Sequence, residues 1–170
     1  MPVAILPDTY FELRHRVAEQ FHVHPNEVIV VGSCRLGFSI KRNARYRAVR
    51  SSSDVDLSVV SAEIFDLYWD AVFKVSRADM VWKNSDLAKR FKTSLFRGWI
   101  EPRHLPSHPS FAIGQEWTEF FDQLVRSRIC GLRGITARLY RTWDRLEAYQ
   151  EIMISECRRE FERIEHVSDQ

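Results

Sequence analysis

Two segments decide how this chain is read: "VVGSCRLGFSI", Val30–Ile40, and "SSSDVDLSVVS", Ser51–Ser61. Each holds a short β-branched run of the kind that forms a buried strand, bounded at one end by small polar residues. The first run closes on Gly32 and Ser33. The second follows three serines and carries Asp54 and Asp56 two residues apart. On a strand, side chains at i and i+2 leave the same face, with about 7 Å between their α-carbons. Carboxylates held that close repel each other, and a divalent cation between them removes the repulsion. Oxygen-only donors favour Mg2+ or Mn2+ over zinc. Val55, Leu57 and Val59 point the other way, toward a core that would stiffen the site. The plainer alternative is that the aspartates cap a turn after the serines.

Working outward, Asp8 is an expected N-cap for an amphipathic helix over residues 9–21, with Tyr10, Leu13, Val17 and Phe21 at helical spacing. Pro25 and Asn26 end it before the first strand. After the second strand, Ile64, Phe65, Tyr68, Trp69, Val72 and Phe73 form a wide apolar helical face. A further helix is expected over Ser85–Phe96 and another over 116–127. The proline-broken stretch "GWIEPRHLPSHPSFAIGQ" reads as an irregular connection that packs Trp99 and Phe111 on the core. "GITARLYRTW", residues 134–143, reads as a third strand, with Ile135, Ala137 and Leu139 alternating against polar or cationic partners. A long C-terminal helix over 145–166 carries Leu146, Tyr149, Met153, Cys157, Phe161 and Ile164 on one face. Its Glu147, Glu151, Arg158 and Glu162 read as a solvated face, and its apolar stripe must cover the domain's own sheet or a partner subunit. The fold class expected is α/β or α+β: a small mixed β-sheet backed by helices.

The chain has 170 residues, 45% hydrophobic and 28% charged, with a net charge of +2. That fits one domain spanning 1–170 with a real core, and excludes the disordered and disulfide-dense classes. The net charge is too small to indicate nucleic acid, but its distribution is uneven. Lys41–Arg50, "KRNARYRAVR", holds five cations and no acid. Residues 41–52 therefore read as a basic surface loop and a candidate flap, in which Lys41, Arg42, Arg45 and Arg47 contact phosphates or simply face solvent. Arg126, Arg128, Arg133, Arg138, Arg141 and Arg145 form a second positive cluster. Cys34, Cys130 and Cys157 are odd in number and form no CxxC pair, so they are expected to be reduced, non-catalytic thiols. No signal peptide and no membrane span are legible, and a cytoplasmic protein is expected.

Gly32 and Ser33 close a strand where a short helix begins, a place where backbone N–H groups and a hydroxyl can hold a phosphate. Arg35, one turn on, is a candidate for the same phosphate. Together, "GSCRLGFS" and "SDVDLSVV" resemble the Gly-Ser, then Asp-x-Asp, signature of the polymerase-β-like nucleotidyltransferase superfamily. The match covers about 30 residues directly and extends loosely to about residue 75 through the order of elements. The resemblance implies that Gly32 and Ser33 contact a triphosphate and that Asp54 and Asp56 bind magnesium. It also implies a third carboxylate on a later strand. "GITARLYRTW" has none, which leaves Glu101 and Asp144 as candidates. A longer gap from Ser33 to Asp54, filled by the basic loop, is a second departure.

The function expected is magnesium-dependent transfer of a nucleoside monophosphate from a nucleoside triphosphate (NTP) to an acceptor hydroxyl on a protein or RNA. Such small transferases often serve defence or toxin–antitoxin roles, on the resemblance alone. The alternative is a catalytically silent subunit that binds nucleotide or nucleic acid within a larger complex. His22, His24, His104 and His108 have no cysteine partners nearby and read as loop residues rather than metal ligands. Trp69, Trp82, Trp99, Trp117 and Trp143 read as core or interface anchors.

Overall fold

A computed structural model describes residues 4–77, 85–105, 109–129, 131 and 134–168. Trp82, His108, Cys130, Arg133 and the side chain of Ile164 lie outside the described residues. The elements in chain order are α1 (Pro7–Phe21), β1 (Val28–Val31), α2 (Gly32–Leu36), β2 (Asp54–Val60), α3 (Ala62–Arg77), α4 (Ser85–Phe96), β3 (Trp99–Ile100), α5 (Ala112–Arg126), β4 (Gly134–Tyr140) and α6 (Trp143–Ser168). The strands form one mixed sheet in the order β1-β2-β4-β3. β2 and β4 are parallel, and the two outer pairings are antiparallel. A parallel pair needs a long crossover, here supplied by α3, α4, β3 and α5.

The period-2 alternation of β2 and β4 assigns the two sheet faces. Val55, Leu57 and Val59 join Ala137 and Leu139 on the main-core face, under Leu13 and Val17 of α1, Phe65 and Tyr68 of α3, Phe91 of α4 and Trp117, Phe121 and Leu124 of α5. Leu57 is buried there, and truncating it to alanine costs about 2–5 kcal/mol. The opposite face carries Asp54, Asp56 and Ser58 on β2 and Thr136, Arg138 and Tyr140 on β4. Only one end of that face is apolar: Val31, Val60 and Tyr140 pack under Leu146, flanked by Trp99 and Tyr149. Leu146 and Tyr149 of α6 pack on that cluster, and Asp54, at the start of β2, is exposed.

Several expectations need correction. Asp8 is not the cap of α1. The helix starts at Pro7, whose fixed φ suits a first helical position, behind Leu6 with no side-chain cap. The segment expected as the third strand is the fourth, because Trp99–Ile100 adds a two-residue edge strand within the stretch read as irregular. Of the tryptophans read as core or interface anchors, Trp117 is buried in the core and Trp99 half-buried, whereas Trp69 and Trp143 are 42% and 41% exposed and lie outside the core. Phe111 is buried as expected, and Phe73 on the apolar face of α3 is 49% exposed. The arginine cluster is not one patch. Arg138 lies against Trp99 and Tyr149, 5.0 and 5.7 Å from their ring centres, and Arg141 pairs with Asp66 at 2.9 Å. Among the described residues no helix is long and apolar enough to cross a membrane.

Candidate functional site

The register between β1 and β2 sets Val31 beside Asp56, so the chain leaves β1 and turns into α2 against that carboxylate. Gly32 makes the turn with φ +64°, a left-handed conformation that favours glycine. A β-carbon on Gly32 would lie 2.8 Å from Asp56 Oδ2. The other aspartate has its own glycine: a β-carbon on Gly134, paired with Asp54, would lie 2.7 Å from Asp54 Oδ1. Asp54 is exposed at the start of β2 and Asp56 is half-buried. Both leave the strand on one face, as the spacing predicts.

Thr136 stands in register with Asp56 on β4, and its hydroxyl donates a 2.6 Å hydrogen bond to Asp56 Oδ1. On the other side Lys41 Nζ lies 3.9 Å from Asp56 Oδ2, with the lysine side chain 70% exposed. Cys34 is buried below, its thiol donating to the Asp54 carbonyl at 3.4 Å. Burial pushes that thiol up in pKa, and the charges of Asp56 and Asp54 push it further, against a lowering hydrogen bond with Ser33. The thiol is thus kept protonated and poorly nucleophilic. Ser33 is half-buried and Arg35 exposed, both on α2.

The basic loop is not a free flap. A bridge between Phe38 and Ala48 closes it, and its middle is docked on α6. Arg45, with only 10% of its side chain exposed, forms an ion pair with Glu160. Tyr46 adopts φ +60°, sets its ring edge-on to Phe161 with centres 6.4 Å apart, and places its hydroxyl 3.7 Å from Cys157 Sγ. The charge of Arg45 is therefore engaged within the chain, in contrast to the phosphate contact expected of it. Lys41, Arg42 and Arg47 are exposed.

Neither candidate third acid is brought to the pair. Glu101, 5% exposed, pairs with Arg103 and lies 3.8 Å from both Arg138 Nε and His104 Nε2. Burial pulls the His104 pKa down, only partly offset by Glu101. Arg138 is held charged: burial opposes it, but Tyr149, Tyr140, Glu101 and Asp56 together outweigh burial. This is a buried ion cluster held by charge more than by hydrogen bonds: Glu101 Oε1, His104 Nδ1 and Arg138 Nε are buried without a hydrogen-bond partner. Asp144 is exposed in the first turn of α6. Among the described residues, no group of three or more His, Cys, Asp or Glu side chains is placed to hold a metal ion. His24 caps the turn Pro25–Glu27, its Nδ1 accepting from the Asn26 N–H at 3.1 Å, and His22 ends α1, both exposed.

Thr136 and Gly134 were not singled out in the sequence, where they fill polar and turn positions of an ordinary strand. The signal that finds them is the parallel register of β4 on β2. A groove of about 610 Å³ between α1 and α5, lined by Arg16, His22 and Gln123 among others, belongs to the helices on the main-core side and not to the aspartate face. No protein-family model matches the chain, and no curated protein or solved structure matches it significantly.

Proposed function

We propose that the chain is a nucleotidyltransferase whose site is built on Asp54 and Asp56. One observation carries this reading: the Gly32 turn lies so close to Asp56 Oδ2 that a β-carbon would collide with it, so the Gly-Ser turn and the Asp-x-Asp strand converge on one spot. The donor set fits a hard divalent ion. Two carboxylates leave one strand face, and the hydroxyl beside them is also an oxygen donor. Asp54 and Asp56 would hold Mg2+ or Mn2+, which when bound supplies charge neutralisation to the phosphates of an NTP.

The chain's own residues do the rest. The Gly32–Ser33 turn offers backbone N–H groups to the triphosphate, and Lys41 and Arg35 bring exposed positive charge to its oxygens. An acceptor hydroxyl forms a bond to the α-phosphorus as the bond to the β-phosphate oxygen breaks, and diphosphate leaves. The hydroxyl proton passes to water at the open, Asp54 side of the site. The acceptor proposed is a protein or RNA hydroxyl, which would approach from the exposed Asp54 at the start of β2.

A second reading, a silent nucleotide-binding subunit, is favoured by the lack, among the described residues, of a third acid at the pair. Incubation with Mg2+, α-labelled NTPs and candidate acceptors separates the two. Label transfer that is lost in Asp54→Ala and Asp56→Ala supports the enzyme. NTP binding without transfer favours the subunit, and neither result in any combination removes both readings.

A further inference from the structure

We infer that the site takes a single divalent ion and that Thr136 is the positioning residue that fixes it by holding Asp56. This rests on the proposed metal role of the aspartates and deepens it. Position 56 has two in-register neighbours, Val31 on β1 and Thr136 on β4. Neither of these neighbours on the sheet is acidic, and among the described residues no third acid joins the pair. Two carboxylates balance the charge of one divalent cation. A second such ion would leave two positive charges without a protein counterpart, next to Lys41 at 3.9 Å from Asp56 Oδ2.

The oxygens of Asp56 are also already divided. Oδ1 accepts from Thr136 at 2.6 Å, and Oδ2 faces the Gly32 turn and Lys41. Two-ion sites hold their metals about 3.5–4 Å apart between shared ligands, and Asp56 presents one open edge for such sharing. Its hydrogen bond does for the carboxylate what an outer partner does for a metal ligand: it fixes the rotamer before the ion arrives. Loss of such a partner typically weakens metal affinity about 10–100-fold.

Mn2+ binding to the whole chain, read by electron paramagnetic resonance and calorimetry without nucleotide, tests this. Wild type is expected to bind one Mn2+, lost in Asp54→Asn. Thr136→Val keeps the β-branched shape and is expected to bind Mn2+ about tenfold or more weakly, while Thr136→Ser retains affinity. Thr136→Asp, which adds the missing charge, is expected to raise the stoichiometry to two. Circular dichroism confirms that each variant is folded, and should Thr136→Asp not fold, the wild-type stoichiometry and the Thr136→Val against Thr136→Ser comparison decide. Two ions in wild type, or equal affinity in Thr136→Val, would overturn the inference while leaving the aspartate site standing. No Asp54-dependent Mn2+ binding at all would overturn both.

Discussion

Replacing Gly32 by alanine separates two things its position combines. At φ +64° a β-carbon costs about 1–2 kcal/mol. That carbon would also sit 2.8 Å from Asp56 Oδ2. Moving the carboxylate aside takes it off a preferred rotamer, about 0.5–1.5 kcal/mol. It also weakens the hydrogen bond from Thr136, worth about 1 kcal/mol. The total expected is about 3 kcal/mol. Gly131 supplies the control: it has φ +62° and nothing within 4 Å of an added β-carbon. Gly131→Ala should therefore show the conformational cost alone, about 1–2 kcal/mol. Urea unfolding followed by tryptophan fluorescence measures both. In an Asp56→Ala background the excess at Gly32 is expected to vanish, since residues in contact couple and distant ones do not. Equal costs for the two alanines in the wild-type background would refute the close approach of the turn to the carboxylate, and with it the site.

Other outcomes follow from the same geometry. Arg45→Ala removes the ion pair with Glu160, whose half-exposed carboxylate limits the effect to about 1 kcal/mol; hydrogen exchange should quicken both in residues 41–52 and around Cys157–Phe161, and unchanged protection in α6 would show that the loop is not docked there. Neutralising Arg42 and Arg47 together should flatten the dependence of log K on log salt for single-stranded RNA by about 1–2, and an unchanged slope would remove the loop as a phosphate track. Tyr68 and Tyr140 are held well above the ordinary value of 10.0, Tyr68 by burial and then Glu116, Tyr140 by burial reinforced by Tyr149 against Arg138. Because the folded pKa exceeds the unfolded one, their stabilising contribution is whole below about pH 10 and falls as pH rises above it. Tyrosinate absorbance should show these two ionising only with unfolding, and a single reversible step for all five tyrosines would contradict that.

Much of this was legible in the chain because periodicity carries far. The alternation in "DVDLSVVS" marked a strand one residue longer than the observed Asp54–Val60, and the spacing in Ser85–Phe96 marked a helix with the observed bounds. The common face of Asp54 and Asp56 followed from the period of a strand. Trp99–Ile100 was hidden because two residues carry no period, and Asp8 misled because Pro7 starts the helix without a side-chain cap. What the sequence could not give was pairing. Thr136 and Gly134 matter only once β4 is known to lie parallel to β2 in one register, and no local pattern states that. The engagement of Arg45 with Glu160 was hidden for the same reason, 115 positions separating partners that local composition cannot join.

A crystal of the protein soaked with Mn2+ and a non-hydrolysable NTP, read by anomalous scattering, tests the account most directly. The expected result is an anomalous peak bound by the carboxylates of both Asp54 and Asp56, with the triphosphate against the Gly32–Ser33 turn. A peak away from those carboxylates, or a triphosphate seated elsewhere on the molecule, would contradict it.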